Sequence, residues 1–142
     1  MSRSGYSESC EGWDLIRWRG AVASAIRGER GQKFLREMLD ALDALPDKSL
    51  TENALEHDGE VCAMGAVGLK RGVDMSKVDP EDRHGVAELF GISPALVAEI
   101  AYENDESWRE TPQERWQRMR RWVVKQIAVR ASQPDSEGKA GE

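Results

Sequence analysis

Over most of the chain, large apolar side chains recur every three or four positions with polar residues between them. That is the period of amphipathic helices. Over 12–27 the spacing is loose, through Trp13, Ile16, Gly20, Ala23 and Ile26, with Ala21 and Ala25 as strong helix formers. Gly28 is a natural stop. Residues 32–45 carry a clear stripe of Phe34, Leu35, Met38, Leu39, Leu42 and Leu45, which Pro46 ends. The short link between these stretches predicts an antiparallel helical hairpin. Residues 49–57 hold only Leu50 and Leu55 as anchors beyond Ala54, which predicts an irregular segment or one helical turn. Glu60 to Arg71 is nearly uncharged and dense in Gly and Ala. A helix apolar all round belongs in an interior. Gly65, Ala66 and Gly68 would admit a close neighbour there, and Gly72 falls just past the end.

Three helix starts follow. Asp79-Pro80-Glu81-Asp82 predicts a helix capped by Asp79 that stops at Gly91. Ser93-Pro94 opens the next, to about 104, and Thr111-Pro112-Gln113-Glu114 spells a capping box for the last, 112–130. In that last helix Trp116, Met119, Val123 and Ile127 share a face, with Trp122 beside them. No run alternates with period two between hairpin turns, so no sheet is expected. The fold class read from this pattern is all-α: a compact bundle of five to six helices, with a helix-turn-helix-like corner at 79–104. Residues 1–131 read as one domain, its first ten residues flexible, and 132–142 as a disordered tail without a large apolar side chain.

Composition adds little to this picture, but charge order adds something. The 142 residues suit a single core that needs neither metal nor disulfide. Cys10 and Cys62 are too few and too far apart for a disulfide framework. No apolar run reaches the roughly 20 residues of a membrane span. The first eleven residues have no signal-peptide core, so a cytoplasmic location is expected. The net charge of −6 is segregated. Residues 13–37 carry 6 Lys/Arg against 3 acids, residues 38–110 carry 6 against 17, and residues 111–131 carry 6 against Glu114 alone. Either the basic ends pack beside the acidic middle and neutralise it, which is the commoner outcome, or they form a face for nucleic acid.

The candidate chemistry is sparse. Ala87, Gly91 and Val97 match the small residue, turn glycine and buried aliphatic of a helix-turn-helix. The second helix of that unit offers Glu99, Glu103, Asp105 and Glu106, and no Lys or Arg lies between Arg83 and Arg109. Carboxylates repel a phosphate backbone, so this corner is expected only to pack. The Trp18, Trp116 and Trp122 neighbourhoods set arginine beside tryptophan. Such pairs can stack bases, but are more often half-buried tryptophans with snorkelling arginines. His57, His84, Cys10 and Cys62 form no ligand spacing, and His57-Asp58 reads as a solvated turn. No glycine set makes a phosphate loop. Neither metal, cofactor nor enzyme activity is expected.

The blocks from Gly12-Trp13 to Leu45, from Gly59 through Val67, and from Thr111-Pro112 to Ile127 together resemble a group of small helical proteins encoded by bacteriophages and prophages. That group has no assigned activity. The resemblance implies a bacterial cytoplasm and an accessory role. Two functional expectations follow. The first is a non-catalytic accessory protein that binds a protein partner through its acidic central surface, with Glu99, Glu103, Asp105 and Glu106 as contacts. The alternative is a nucleic-acid-binding regulator using Arg17, Arg19, Arg30, Arg118 and Arg121 of the first and last helices.

Overall fold

The computed structural model describes residues 13–105 and 109–132. The expected flexible N-terminus, the disordered tail, Cys10 and Glu106 lie outside them. Among the described residues six α-helices form: α1 (Trp13–Arg27), α2 (Glu29–Ala44), α3 (Ala63–Arg71), α4 (Arg83–Phe90), α5 (Pro94–Asp105) and α6 (Pro112–Ser132). The mostly helical architecture is as the periodicity predicts. α2 packs on α6 and α3, and α1 lies against α5 and α2. One contiguous apolar cluster runs through all six.

The α2 stripe is the centre of that cluster. Phe34, Leu35, Met38 and Leu42 are buried, Leu39 is partly so, and Leu45 follows as the helix's extended C-cap before Pro46. The stripe of α1 is offset from the expected one. Ile16 is 60 % exposed and Gly20 is exposed, while Val22 and Ile26 are buried and Trp18 and Ala25 pack partly on the core. Alanine and glycine on several faces left the register of this helix open in the sequence. On α6, Met119 and Val123 are buried, with Trp116, Trp122 and Ile127 packed against them.

The segment before α3 corrects two expectations. A two-stranded hairpin, β1 (Glu56–His57) and β2 (Glu60–Val61), pairs Glu56 with Val61 and His57 with Glu60. Asp58 and Gly59 form its turn at φ +53° and +82°, the positive pair that a two-residue hairpin requires. The helix therefore starts at Ala63, not near Glu60. Cys62 is its N-cap, and its Sγ accepts from the Gly65 N–H at 3.3 Å. Residues 61–68 are all buried, as an interior helix should be. A β-carbon on Gly65 would fall on the Leu55 carbonyl, so the glycine permits that approach. Leu50 and Leu55 anchor the irregular segment in the core.

Arg71 joins three helices. Its guanidinium grips Glu37 of α2 through two bonds of 2.7 and 2.6 Å, donates to the Phe90 carbonyl of α4 at 3.3 Å, and lies 5.8 Å from both the Phe34 and Phe90 rings. After it, Met75–Lys77 forms a single 3-10 turn. The expected cap of α4 shifts by three residues. Asp82, not Asp79, accepts from the Gly85 N–H, while Asp79 closes a turn onto the Glu81 N–H. The other two starts are as read. Ser93 Oγ accepts from Leu96 N–H. Thr111 and Glu114 exchange both bonds of the capping box, at 2.9 and 3.1 Å.

Candidate functional site

One of the expected acidic contacts on α5 turns inward. Asp105 is buried and accepts from the Asn53 N–H at 3.1 Å and from Asn104 Nδ2 at 2.8 Å. Asn104 is fully buried. Its Oδ1 takes the Ala63 N–H, and its Nδ2 also reaches the Thr51 carbonyl. Glu103 is half-buried and pairs with Arg118 at 3.8 Å. Burial, then the neighbouring Glu99 carboxylate, pushes its carboxyl above the usual range, against the opposing pull of Arg118 and Lys125. Glu99 is half-buried. Asp105 therefore drops out of the expected surface, as an internal acceptor that ties α5 to the irregular segment, while Glu99 and Glu103 stay partly exposed.

The basic set divides in the same way. Arg17, Arg19, Arg30 and Arg121 are exposed, on α1, α2 and α6. Arg118 is drawn into a bidentate pair with Glu110, at 2.5 and 3.0 Å. Arg115 beside it is buried, donates to the Leu50 carbonyl and to Glu52, and lies 3.7 Å from Glu110. Arg120 grips Asp43. Arg115, Arg118 and Arg120 of α6 are thus paired with acids of the middle segment, the last of them at the surface.

The helix-turn-helix geometry is present. Gly91 caps α4 in the left-handed region at φ +74°, its N–H returns to the Ala87 carbonyl, and the axes of α4 and α5 turn through 104°. The second helix, however, is buried on nearly every side, Tyr102 being its one exposed residue. The stripe it leaves partly open, Glu99, Tyr102 and Glu103, carries carboxylates that repel a phosphate backbone. The tryptophans are likewise structural. Trp116 Nε1 donates to the Leu42 carbonyl with Lys48 over its ring, and Arg83 lies 5.2 Å from the Trp18 ring. His57 and Asp58 sit on the exposed hairpin turn.

A different acidic feature remains open. Between the 3-10 turn and α4 lies a cleft of about 350 Å³ with Val78, Gly85 and Leu89 in its walls. Asp74, Asp79, Asp82 and Glu88 line it, with Lys77 as the single cation. All four carboxylate residues are exposed and form no ion pair among the described residues. Three are held in place through one oxygen: Asp74 by the Ser76 N–H and hydroxyl, Asp79 by Glu81 N–H and Asp82 by Gly85 N–H. The Ser76 bonds hold the Asp74 carboxyl below its usual range. Sequence reading took 79–82 only as a helix start. The signal for the rest was the Asp-rich run itself, but its convergence on one cleft depends on the unforeseen 3-10 turn.

Among the described residues no helix alone is long and apolar enough to cross a membrane, and no group of three His, Cys, Asp or Glu side chains is arranged to hold a metal ion. Comparison with known proteins finds no match: no family model, no curated protein and no solved structure is similar to this chain.

Proposed function

We propose that this chain is a non-catalytic accessory protein, of the phage or prophage kind its sequence resembles, and that it binds a protein partner through the acidic cleft beside α4. One observation carries the reading. The fold's pairs with arginine take up Glu37, Asp43, Glu52, Glu103 and Glu110 but none of the cleft's acids: Asp74, Asp79, Asp82 and Glu88 surround apolar walls with only Lys77 to offset them. Fixed carboxylates around a small apolar floor suit a partner segment that brings Lys or Arg beside one aliphatic side chain. The site thereby moves from the Glu99–Glu106 stretch to residues 74–89.

The test is capture from a bacterial lysate by the tagged chain and by its Asp79→Lys/Glu88→Lys variant, followed by mass spectrometry. The expected result is a protein retained by the first and lost by the second. A partner held equally by both would rule out the cleft. The alternative, a nucleic-acid-binding regulator built on the first and last helices, has less surface than the sequence offers, because Arg118 is committed to Glu110.

A further inference from the structure

We infer that the turn between α1 and α2 is a second, separate surface, which takes the phosphate backbone of a nucleic acid without reading its sequence. Arg27 ends α1, and Arg30 and Lys33 lie on the first turns of α2. All three are exposed, and none forms a hydrogen bond or ion pair among the described residues. Elsewhere the arginines are largely engaged: Arg71 with Glu37, Arg115 and Arg118 with Glu110, and Arg120 with Asp43.

The surroundings suit an oxyanion. A cleft of about 210 Å³ opens beside Arg30, with Ser24, Gly28 and Ser93, but also Glu29, in its wall. The N-terminus of α2 at this cleft has no side-chain cap, which leaves backbone N–H groups as donors, offset in part by the C-terminal end of α1 at Arg27. Gln32 fixes the turn against the last helix. Its Nε2 donates to the Ile26 carbonyl at 2.8 Å and reaches the Gln126 carbonyl at 3.5 Å, one residue from exposed Lys125. Glu29 is the one carboxylate in the turn itself.

No large exposed hydrophobic side chain stands among the three cations, and the apolar part of the cleft wall, Ala25, Ile92 and Leu96, is buried or half-buried; this favours phosphate over an acidic protein. Protein interfaces centre on desolvated apolar or aromatic side chains. Among the described residues the exposed large hydrophobics are Ile16, Leu69, Tyr102 and Val124, and none falls between Arg27 and Lys33. Backbone phosphates need only charge and donors. The net charge of −6 does not cancel this patch, because at physiological salt charges beyond about 8 Å are screened.

Fluorescence anisotropy with a labelled DNA duplex of generic sequence tests the assignment on the full chain. Three phosphate contacts predict a salt slope of about −2.7, hence about 40-fold weaker binding when salt rises from about 50 to about 200 mM. The variant R27A/R30A/K33A, with its helicity checked by circular dichroism, should lose at least about 10-fold at the lower salt. Glu29→Gln should instead tighten binding by about twofold. Glu56→Gln, on the exposed hairpin, should leave duplex binding unchanged. No binding by the wild type at low salt, or a triple variant within twofold of it, would overturn the inference. So would poly-glutamate binding as tightly as the duplex through the same three residues, which would make the occupant an acidic protein.

Discussion

A β-carbon would have opposite effects at Gly20 and Gly65, although both glycines interrupt helices. At Gly20, on the exposed face of α1, nothing lies within 4 Å of the position a β-carbon would take. Gly20→Ala then gains only helix propensity, and should raise stability by about 0.5–1 kcal/mol. At Gly65 the same carbon would strike the Leu55 carbonyl and reach Val61 Cβ at 3.0 Å. The gain in propensity is overwhelmed, because the irregular segment and the hairpin strand would both have to move. Gly65→Ala should cost about 1–3 kcal/mol. Urea unfolding of the two variants beside the parent measures both, and equal shifts would mean that the 61–68 stretch is not closely packed. The density of small residues in that stretch was legible as an interior signal, but which glycine faces backbone was not. Gly65 meets Leu55, whereas Gly68 meets the Met75 side chain, and neither neighbour follows from helical spacing.

At the scale of elements, caps and turns decided where the reading held. The capping box at Thr111 and Glu114 is a local motif, complete within four residues, and it forms as spelled. The Asp79-Pro80-Glu81-Asp82 run offers two caps, and local rules favour the one before proline. The chain uses the later one because Asp79 closes a turn first, and the helix starts after Asp82. Asp82→Ala should therefore cost about 1 kcal/mol and speed amide exchange at Gly85. Asp79→Ala should speed exchange at Glu81 and leave Gly85 protected. Exchange measured by NMR separates the two, and faster Gly85 exchange in the Asp79 variant would restore the first reading. The β1–β2 hairpin escaped for a related reason. Asp58-Gly59 is a strong turn pair, but strands of two residues are too short to show alternation, and Val61 belonged equally well to the apolar run after it.

For the whole molecule, the core was legible and its polar interior was not. Phe34, Leu35, Met38, Leu42, Met119 and Val123 follow from periodicity alone, since a buried stripe needs no knowledge of its partner. Asn104, Asp105 and Arg115 are buried because of groups some 40 to 65 residues away in the chain: Ala63 N–H, Asn53 N–H and the Leu50 carbonyl. Their types argue for the surface, so a one-dimensional reading places them there and counts their charge as available. This is why Asp105 dropped out of the expected acidic patch and the last helix offers less free positive charge.

Arg115 is the sharpest test of that account. It holds the irregular segment at Leu50 and Glu52 and lies beside Glu110, which Arg118 also clamps. Removing it would leave the Leu50 carbonyl without that donor and the nearly buried Glu110 with one cation fewer. Both are costs of desolvated groups losing partners, and neither is the small loss of a surface pair. Arg115→Ala should therefore destabilise the fold by about 3 kcal/mol, the lower end of what breaking a buried pair costs, since Glu52 can turn to water. Arg121→Ala, exposed on the same helix, should stay within about 0.5 kcal/mol. Denaturant midpoints for the two variants decide the matter. If Arg115→Ala were as mild as Arg121→Ala, the basic residues of α6 would be solvated after all, and the charge available for an external partner would have to be counted again.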